Sequence, residues 1–342
     1  MDQGVLRLNL AWNGQRIVAA GIASSRPQAA RILIGQPVER AVDLVPRLFS
    51  LCGQAQGVAA RMAWYAARGE AFDTAALRES GRRVALEAIG EHLWRLLLDW
   101  PPMYGLPARK DDFLFWRKRL LAVDDQAGAA LLGDELDRWL LAEQQLPVEP
   151  AFTATPGARL PWLGADEWAQ QAMDDDFAER PSFAGLPAET GPMARRVGDA
   201  GVAVLHAAGQ GVAARLAARY ADLHFLARAL LEPQWLDGWL GAAQIGENVG
   251  LARVETARGL LLHLIQVNDG RVGRYVIVAP TEWNFHPQGA FVREMTGCPA
   301  VSLAGAEAAA RRLALALDPC VAYEIVVNEG ADKGADKGVE NA

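Results

Sequence analysis

Hydrophobic and polar residues alternate at the start of the chain, as they do in a strand with one buried face. The alternation runs from Val5 to Trp12, and the pair Asn13-Gly14 supplies the positive φ angles that a tight hairpin needs. A second strand-like run covers residues 16–23. The chain is therefore predicted to begin with two antiparallel strands.

Helical spacing replaces this alternation through the long middle of the chain. Short helices are expected over 28–34 and 39–52, which places Cys52 near a helix end or in a loop. Further helices are predicted over 56–66, 111–143 with a break near 124–128, 193–209 and 212–230.

One amphipathic helix is marked by apolar residues three and four apart between Leu86 and Leu97. It is predicted to end before Trp100, because two prolines follow that residue and proline disfavours helix at the position before it. Glu87, Glu91 and His92 lie on this helix and are interpreted as a solvated face.

The second half of the chain contains a β-rich section. A hairpin is predicted at Asn268-Asp269-Gly270, and a helix is predicted over 304–317. Strands are predicted over 251–256, 261–267 and 272–279. With no βαβ alternation, the order of elements indicates a helix-dominated α+β fold. The last residues, 328–342, repeat GADK and carry too little apolar surface to fold, so a disordered tail is expected.

Composition narrows the possible functions. The 342 residues are 51% hydrophobic with a net charge of −7, which is typical of a globular protein and gives no basic excess for nucleic acid. No apolar run reaches the length of a membrane span, and three cysteines fit a reducing compartment, so a cytoplasmic protein is expected.

Common catalytic and metal motifs are missing from the sequence. It contains no GxxxxGK[ST] phosphate loop, no GxSxG nucleophile turn, no HExxH helix and no CxxC pair. The three cysteines stand apart, as Cys52, Cys298 and Cys320. From composition alone, a buried structural thiol is the favoured interpretation of Cys52 and Cys320 over a role in metal binding.

Two cysteine motifs resemble those of nickel–iron hydrogenase large subunits. Residues 48–55, LFSLCGQA, are similar to the N-terminal RxCGxC motif, and residues 317–323, LDPCVAY, to the C-terminal DPCxxCxxH motif. Three intervening segments agree in order: residues 180–195 with PRYxGxPxEvGPLAR, residues 255–259 and His263 with EAPRGxxxH, and residues 278–284 with VPTTWN. The resemblance implies a large-subunit-like fold with an N-terminal β-hairpin, a central helical bundle and a C-terminal β-section. It implies one such domain over 1–327, with 66–165 as its most divergent helical region.

The departures from the hydrogenase pattern indicate a different function. Ala55 and Tyr323 stand where the family has the second cysteine of each pair, and Ala59 and Val326 stand where it has histidines. Two thiolates do not complete the four-sulfur environment of a nickel–iron centre, so no nickel and no catalytic residue are expected. A shortened large-subunit-like chain with one cysteine per motif resembles hydrogenase maturation proteins of the HupK/HoxV type.

This resemblance implies a scaffold that transiently carries the iron cyanide–carbonyl fragment Fe(CN)2(CO) to the hydrogenase large subunit. The implied partners are the large-subunit precursor and a HypC/HypD-type assembly complex. By position, Cys52 and Cys320 would bind iron, Arg258 would lie beside a cyanide nitrogen, and Thr281 with the backbone after Pro280 would add hydrogen bonds.

Other interpretations remain open at this point. The alternative hypothesis is a metal-free large-subunit-like chaperone that acts only by protein contacts. Arg258 is alternatively an ordinary ion-pair residue and Thr281 a turn-stabilising hydroxyl. His263 shares a strand face with apolar residues, and a hydrogen-bonded core histidine is the favoured interpretation over an iron ligand.

Overall fold

The computed structural model describes residues 4–26, 28–49, 51–143, 157–171 and 173–330. These residues form a first sheet of three strands, a second sheet of four strands, a short two-stranded pair and a helical bundle that contacts the second sheet. The helix-dominated α+β class predicted from the sequence is confirmed. Among the described helices, none combines the length and the apolar character needed to cross a bilayer.

The first sheet joins the two ends of the described chain. Strands β1 (Leu6–Trp12) and β2 (Ile17–Ser24) form the predicted hairpin, with Gly14 at a φ of 96° in the turn. Strand β9 (Tyr323–Glu329) pairs in parallel with β1, so the sheet order is β2-β1-β9. Strand β9 extends two residues into the segment predicted as a tail, because Asn328 and Glu329 pair with β1. Residues 331–342 lie outside the described residues.

Helix α2 (Gly53–Ala67) carries the first cysteine motif into the core. It follows α1 (Val38–Leu48) and packs against the second sheet. Its buried face consists largely of alanine, and Gly250 on the facing strand has no side chain, which lets the two backbones approach. A Cβ atom at Gly250 would lie 2.1 Å from the carbonyl oxygen of Ala63, so a larger residue there would separate helix from sheet.

The helices between the two sheets are α3 (Thr74–Trp94), α4 (Trp100–Met103), α5 (Lys110–Leu121), α6 (Gln126–Glu143), α7 (Ala165–Trp168), α8 (Asp175–Glu179), α9 (Pro192–Arg196), α10 (Ala200–Ala207) and α11 (Gly211–Leu231). Of these, α3 and α6 pack against α11 and form the helical bundle, around an apolar core that includes Trp100, Trp116 and Leu136. The predicted stop before Trp100 is wrong. A π-helical turn over Arg95–Asp99 leads directly into α4, whose first turn accepts proline because its N–H groups need no helical partner.

The second sheet is an antiparallel meander of four strands. These are β5 (Leu240–Gly246), β6 (Val249–Thr256), β7 (Gly259–Asn268) and β8 (Arg271–Val278). The hairpin predicted at Asn268-Asp269-Gly270 joins β7 to β8, with Asp269 and Gly270 both at positive φ. Between the bundle helices, β3 (Ala158–Arg159) and β4 (Ala188–Glu189) form a short parallel pair.

Three helices lead from the second sheet back to the first. They are α12 (Pro280–Asn284), α13 (Ala290–Met295) and α14 (Leu303–Leu317). The Ser302 hydroxyl accepts the N–H of Gly305 and caps α14, which then ends at Asp318 in the left-handed region with a φ of 56°. This ending turns the chain sharply toward Cys320 and β9.

Candidate functional site

Cys52 is the N-cap residue of α2, at the junction with α1. The chain turns closely here, because a Cβ atom at Gly53 would lie 2.9 Å from the carbonyl oxygen of Pro46. The motif therefore needs glycine at position 53, because any side chain would contact the Pro46 carbonyl too closely. Cys52 consequently lies at the N-terminal end of a helix whose remaining residues are mostly buried.

Cys320 follows the left-handed turn at the end of α14 and contacts Thr281 on α12. The Thr281 hydroxyl donates to Cys320 Sγ at 3.2 Å and accepts the Cys320 backbone N–H, also at 3.2 Å. Thr281 is 3% exposed, and Pro280 before it is the first residue of α12. This hydroxyl therefore fixes the sulfur of Cys320 relative to α12. Its contacts go beyond the turn-stabilising role considered as the alternative from the sequence.

The fold brings the two motif cysteines into electrostatic contact, although they are 268 residues apart in the sequence. Burial raises the pKa of the Cys52 thiol; the neighbouring Cys320 and Glu91 add to this rise, and Arg258 opposes it. Cys52 is therefore a neutral thiol near pH 7. Cys298 lies elsewhere, after α13, where burial raises its pKa and its charged neighbours are Arg312 and Glu294.

Arg258 lies in the tight turn between β6 and β7 and is 5% exposed. Its guanidinium pairs with Glu91, and its Nε lies 3.3 Å from Asp318 Oδ1 without forming a hydrogen bond. Burial acts to lower the pKa of Arg258. The negative charges of Asp318 and Glu91 raise it, Cys320 and Cys52 add to this rise, and together they outweigh burial, so the pKa is raised. Arg258 is thus a buried ion-pair residue and also a permanent cation beside both cysteines.

Asp318 connects the cysteine motif to the helical bundle. Its carboxylate accepts from Arg95 Nε at 2.7 Å and from Arg219 Nη1 at 3.1 Å, and it also faces Arg258. Burial acts to raise the pKa of Asp318, but these three guanidinium groups hold it below its usual range. Asp318 is therefore ionised. It lies near the Nε atom of Arg258, whereas Glu91 pairs with the Nη1 atom of the same guanidinium, and the two carboxylates together position it.

The solvated face predicted for α3 is wrong. Glu91 is 9% exposed and pairs with Arg258, while His92 is fully buried between Asp222 and Arg219. Glu87 accepts the backbone N–H groups of Gln54 and Ala55 at 2.7 and 3.0 Å, and burial raises its pKa to about 7. These carboxylates face the cysteine motif because their partners come from distant segments, which helical periodicity does not reveal.

His263 belongs to a buried chain of hydrogen bonds, as favoured from the sequence. Its Nδ1 lies 2.9 Å from the Tyr275 hydroxyl, and its Nε2 lies 2.9 Å from Gln56 Oε1. The amide of Gln56 in turn lies 3.8 Å from Cys52 Sγ. Both ring nitrogens of His263 thus have protein partners, and Gln56 is a site residue that the sequence reasoning missed.

Acid is expected to destabilise the protein through His263. Burial lowers the pKa of this histidine to about 3, against about 6.5 in an unfolded chain, so between these pH values the unfolded state binds the extra proton. Its contribution is intact above pH 6.5 and is lost as the pH falls, at about 1 kcal/mol per pH unit. In urea unfolding between pH 7 and 4, His263→Gln should show a shallower pH slope than the natural chain. Parallel slopes would contradict this assignment.

The set of metal-binding side chains at the site is small. Within the part of the chain that the structure describes, no three histidine, cysteine, aspartate or glutamate residues are grouped so that they could hold a metal ion. The cysteine motifs offer two thiols, with Arg258 and Thr281 beside them.

Known proteins share both the sequence and the fold. Residues 227–323 match the family model described as nickel-dependent hydrogenase. The chain is 34% identical to the hydrogenase expression/formation protein HoxV of Cupriavidus necator, with 89% of this chain and 92% of that protein covered. It is also 34% identical to the hydrogenase expression/formation protein HupK of Azotobacter vinelandii, over 91% and 94% of the two chains.

The fold is similar to that of solved hydrogenases. A reduced, active nickel–iron–selenium hydrogenase from Desulfomicrobium baculatum superposes with a TM-score of 0.65 at 14% identity, covering 91% of this chain and 95% of that one. At this identity the likeness concerns the fold alone. The large-subunit-like architecture predicted from the sequence is confirmed.

Proposed function

Because the chain belongs to the HupK/HoxV family of hydrogenase expression/formation proteins, we propose that it is a non-catalytic scaffold in hydrogenase maturation. Its cargo is the iron cyanide–carbonyl fragment Fe(CN)2(CO), held until the hydrogenase large-subunit precursor receives it. A HypC/HypD-type assembly complex supplies the fragment. We place this work in the cytoplasm.

The observation that carries this proposal is the meeting of two thiols with one buried arginine. Cys52 and Cys320 come from opposite ends of the sequence and share the charge of Arg258. Thr281 fixes the second sulfur by a hydrogen bond. A low-spin iron fragment with three diatomic ligands already has half of an octahedral shell, so the two thiolates are the only metal bonds that the protein has to supply.

The charge of the loaded site supports the same cargo. Iron(II) with two cyanides and one carbonyl is neutral, and each thiolate that binds it adds one negative charge. Binding forms an Fe–S bond and releases the S–H proton to solvent, without any change of oxidation state. The guanidinium of Arg258 supplies a charge-assisted donor for a cyanide nitrogen, and the backbone after Pro280 supplies a neutral one, while the Thr281 hydroxyl keeps its one proton on the sulfur of Cys320.

The replaced cysteine positions support release of the cargo. Ala55 is fully buried in α2, and Tyr323 opens strand β9 opposite Leu6. A second thiolate at either position, as in the hydrogenase pattern, would add a bridging ligand and hold nickel beside iron. With those positions occupied by alanine and tyrosine, the fragment is bound by fewer ligands than its final site provides, which favours transfer.

Infrared spectroscopy tests the proposal on the whole protein. We expect chain purified anaerobically from cells with an active hydrogenase maturation system to show cyanide and carbonyl stretching bands and to contain iron. The control is the same protein from cells without the HypC/HypD-type complex, which should lack the bands. If neither preparation shows bands while the protein still restores hydrogenase maturation, the chain acts as a metal-free chaperone and the carrier proposal is wrong.

A further inference from the structure

A groove of about 880 Å³ opens beside the cysteine site. Its walls come from the end of β2, strand β8, the start of α12 and the short helix at Ala29–Leu33. Four arginines line it against two glutamates: Arg26, Arg31, Arg180 and Arg274 against Glu179 and Glu282. The groove therefore has an excess of positive charge, unlike the chain as a whole.

The ion pair of Arg26 and Glu282 lies where this groove meets the cysteine site. Arg26 Nη1 lies 2.8 Å from Glu282 Oε1, and their side chains are 17% and 20% exposed. Glu282 directly follows Thr281, the residue that donates to Cys320 Sγ. The pair thus lines the groove on one side and adjoins the second thiol on the other.

Glu282 is also a departure from the hydrogenase motif. The matching VPTTWN segment has a second threonine where this chain has Glu282, and a threonine cannot form an ion pair with Arg26. The neighbouring residues Thr281, Trp283 and Asn284 all keep the pattern. The changed position is therefore the one that faces an arginine.

Arg26 acts on the same two sulfurs as Arg258. Burial acts to lower the pKa of Arg26. Cys320 and Glu282 raise it, Cys52 adds a smaller increase, and the pKa of Arg26 is raised as a result. Arg258 is held between Glu91 and Asp318 in the interior. Among the described residues Arg26 has a single carboxylate partner, and it borders the groove, so its guanidinium has room to exchange that partner for another anion.

We propose that Arg26 is a second positioning residue for the cargo, which it contacts from the groove, and that Glu282 holds its guanidinium when the cargo is absent. This inference rests on the proposed carrier function. Two thiolates give the bound fragment two negative charges, and the arginines on its two sides, Arg26 and Arg258, supply two positive ones. Because Arg26 has Glu282 as an alternative partner, it can release the fragment without leaving a buried charge unpaired.

The test compares Arg26→Gln, Arg26→Lys and Arg31→Gln with the natural chain, each loaded in cells and purified anaerobically. Arg31 is an exposed arginine of the same groove and serves as the matched control. We expect Arg26→Gln to shift the cyanide stretching bands and to lose iron to a chelator roughly tenfold faster, because a charge-assisted donor is lost. Arg26→Lys should restore part of the retention, and Arg31→Gln should match the natural chain.

Glu282→Thr separates a direct contact from structural support by the ion pair. This variant keeps Arg26 but restores the threonine of the hydrogenase pattern, so iron loss should be no faster than from the natural chain. Loss as fast as from Arg26→Gln would overturn the proposal, as would equal bands and rates in the Arg26→Gln and Arg31→Gln proteins. If the natural chain itself shows no cyanide bands, the carrier function fails and this inference fails with it; if only the variants disagree, the carrier function stands.

Discussion

Cys52→Ala and Cys320→Ala proteins are each expected to be purified without cyanide or carbonyl bands and without the iron that accompanies them. The two thiols are the only soft ligands that the motifs bring together, and Arg258 and Thr281 contribute hydrogen bonds but no metal bond. Loss of one Fe–S bond leaves the fragment held by a single thiolate, with hydrogen bonds as its other contacts to the protein. The measurement is infrared spectroscopy with iron analysis on anaerobically purified protein.

Cys298→Ala provides the matched control for these two variants. Cys298 is also half-buried, but it lies after α13, and its charged neighbours belong to α13 and α14 rather than to the motif. We expect its bands and iron content to equal those of the natural chain. Unchanged bands in both Cys52→Ala and Cys320→Ala would refute the ligand assignment, whereas a loss confined to one of them would identify the single ligand.

Asp318→Asn is expected to reduce the free energy of unfolding by about 3 to 5 kcal/mol, because it removes one charge from a buried network and leaves its cations unbalanced. Asp318 is 1% exposed and faces Arg95, Arg219 and Arg258. Asparagine keeps the shape of the side chain and tolerates the left-handed backbone, so the change is confined to the charge and to one of the two acceptor oxygens. Urea unfolding monitored by circular dichroism measures the loss.

Asp269→Asn isolates this charge effect from the backbone. Asp269 also has a positive φ, 48°, but it is exposed in the hairpin between β7 and β8. Its substitution should change the free energy of unfolding by no more than about 0.5 kcal/mol. Equal effects of the two substitutions would mean that Asp318 serves the turn rather than the three arginines.

Much of the fold could be predicted because its local signals agree with its tertiary structure. The alternation before Asn13-Gly14 and the hairpin at Asp269-Gly270 both specify strand pairs by turn chemistry. The stripe of α11 gives a long helix that the structure confirms at Gly211–Leu231. In each case a short stretch of sequence contains both the element and its boundary.

The elements that the sequence reasoning missed depend on distant partners. Strand β5, at Leu240–Gly246, is rich in alanine and glycine and becomes a strand by pairing with β6. Strand β9 follows the cysteine motif and is defined by its pairing with β1. The helix over Trp100–Met103 continues through two prolines because a π-helical turn precedes it.

The site divides in the same way. Motif positions led to Cys52, Cys320, Arg258 and Thr281, and the fold brings these four together. The residues that position them were not identified by the motifs: Gln56 and Glu91 lie on helices, Arg26 follows β2, and Asp318 lies in the second cysteine motif itself. Burial and ion pairing between distant segments decide their roles, and neither is visible in residue spacing.

The parallel pairing of β1 with β9 determines when the site can exist during synthesis of the protein. Strand β1 and Cys52 leave the ribosome early, whereas Cys320 and β9 follow some 268 residues after Cys52. A partly made chain therefore contains one motif thiol, no Asp318 and an unpaired edge on its first sheet. Only a chain translated through β9 can close the sheet and present both motif thiols, so under the proposed function the cargo is accepted by the finished protein and not by its nascent form.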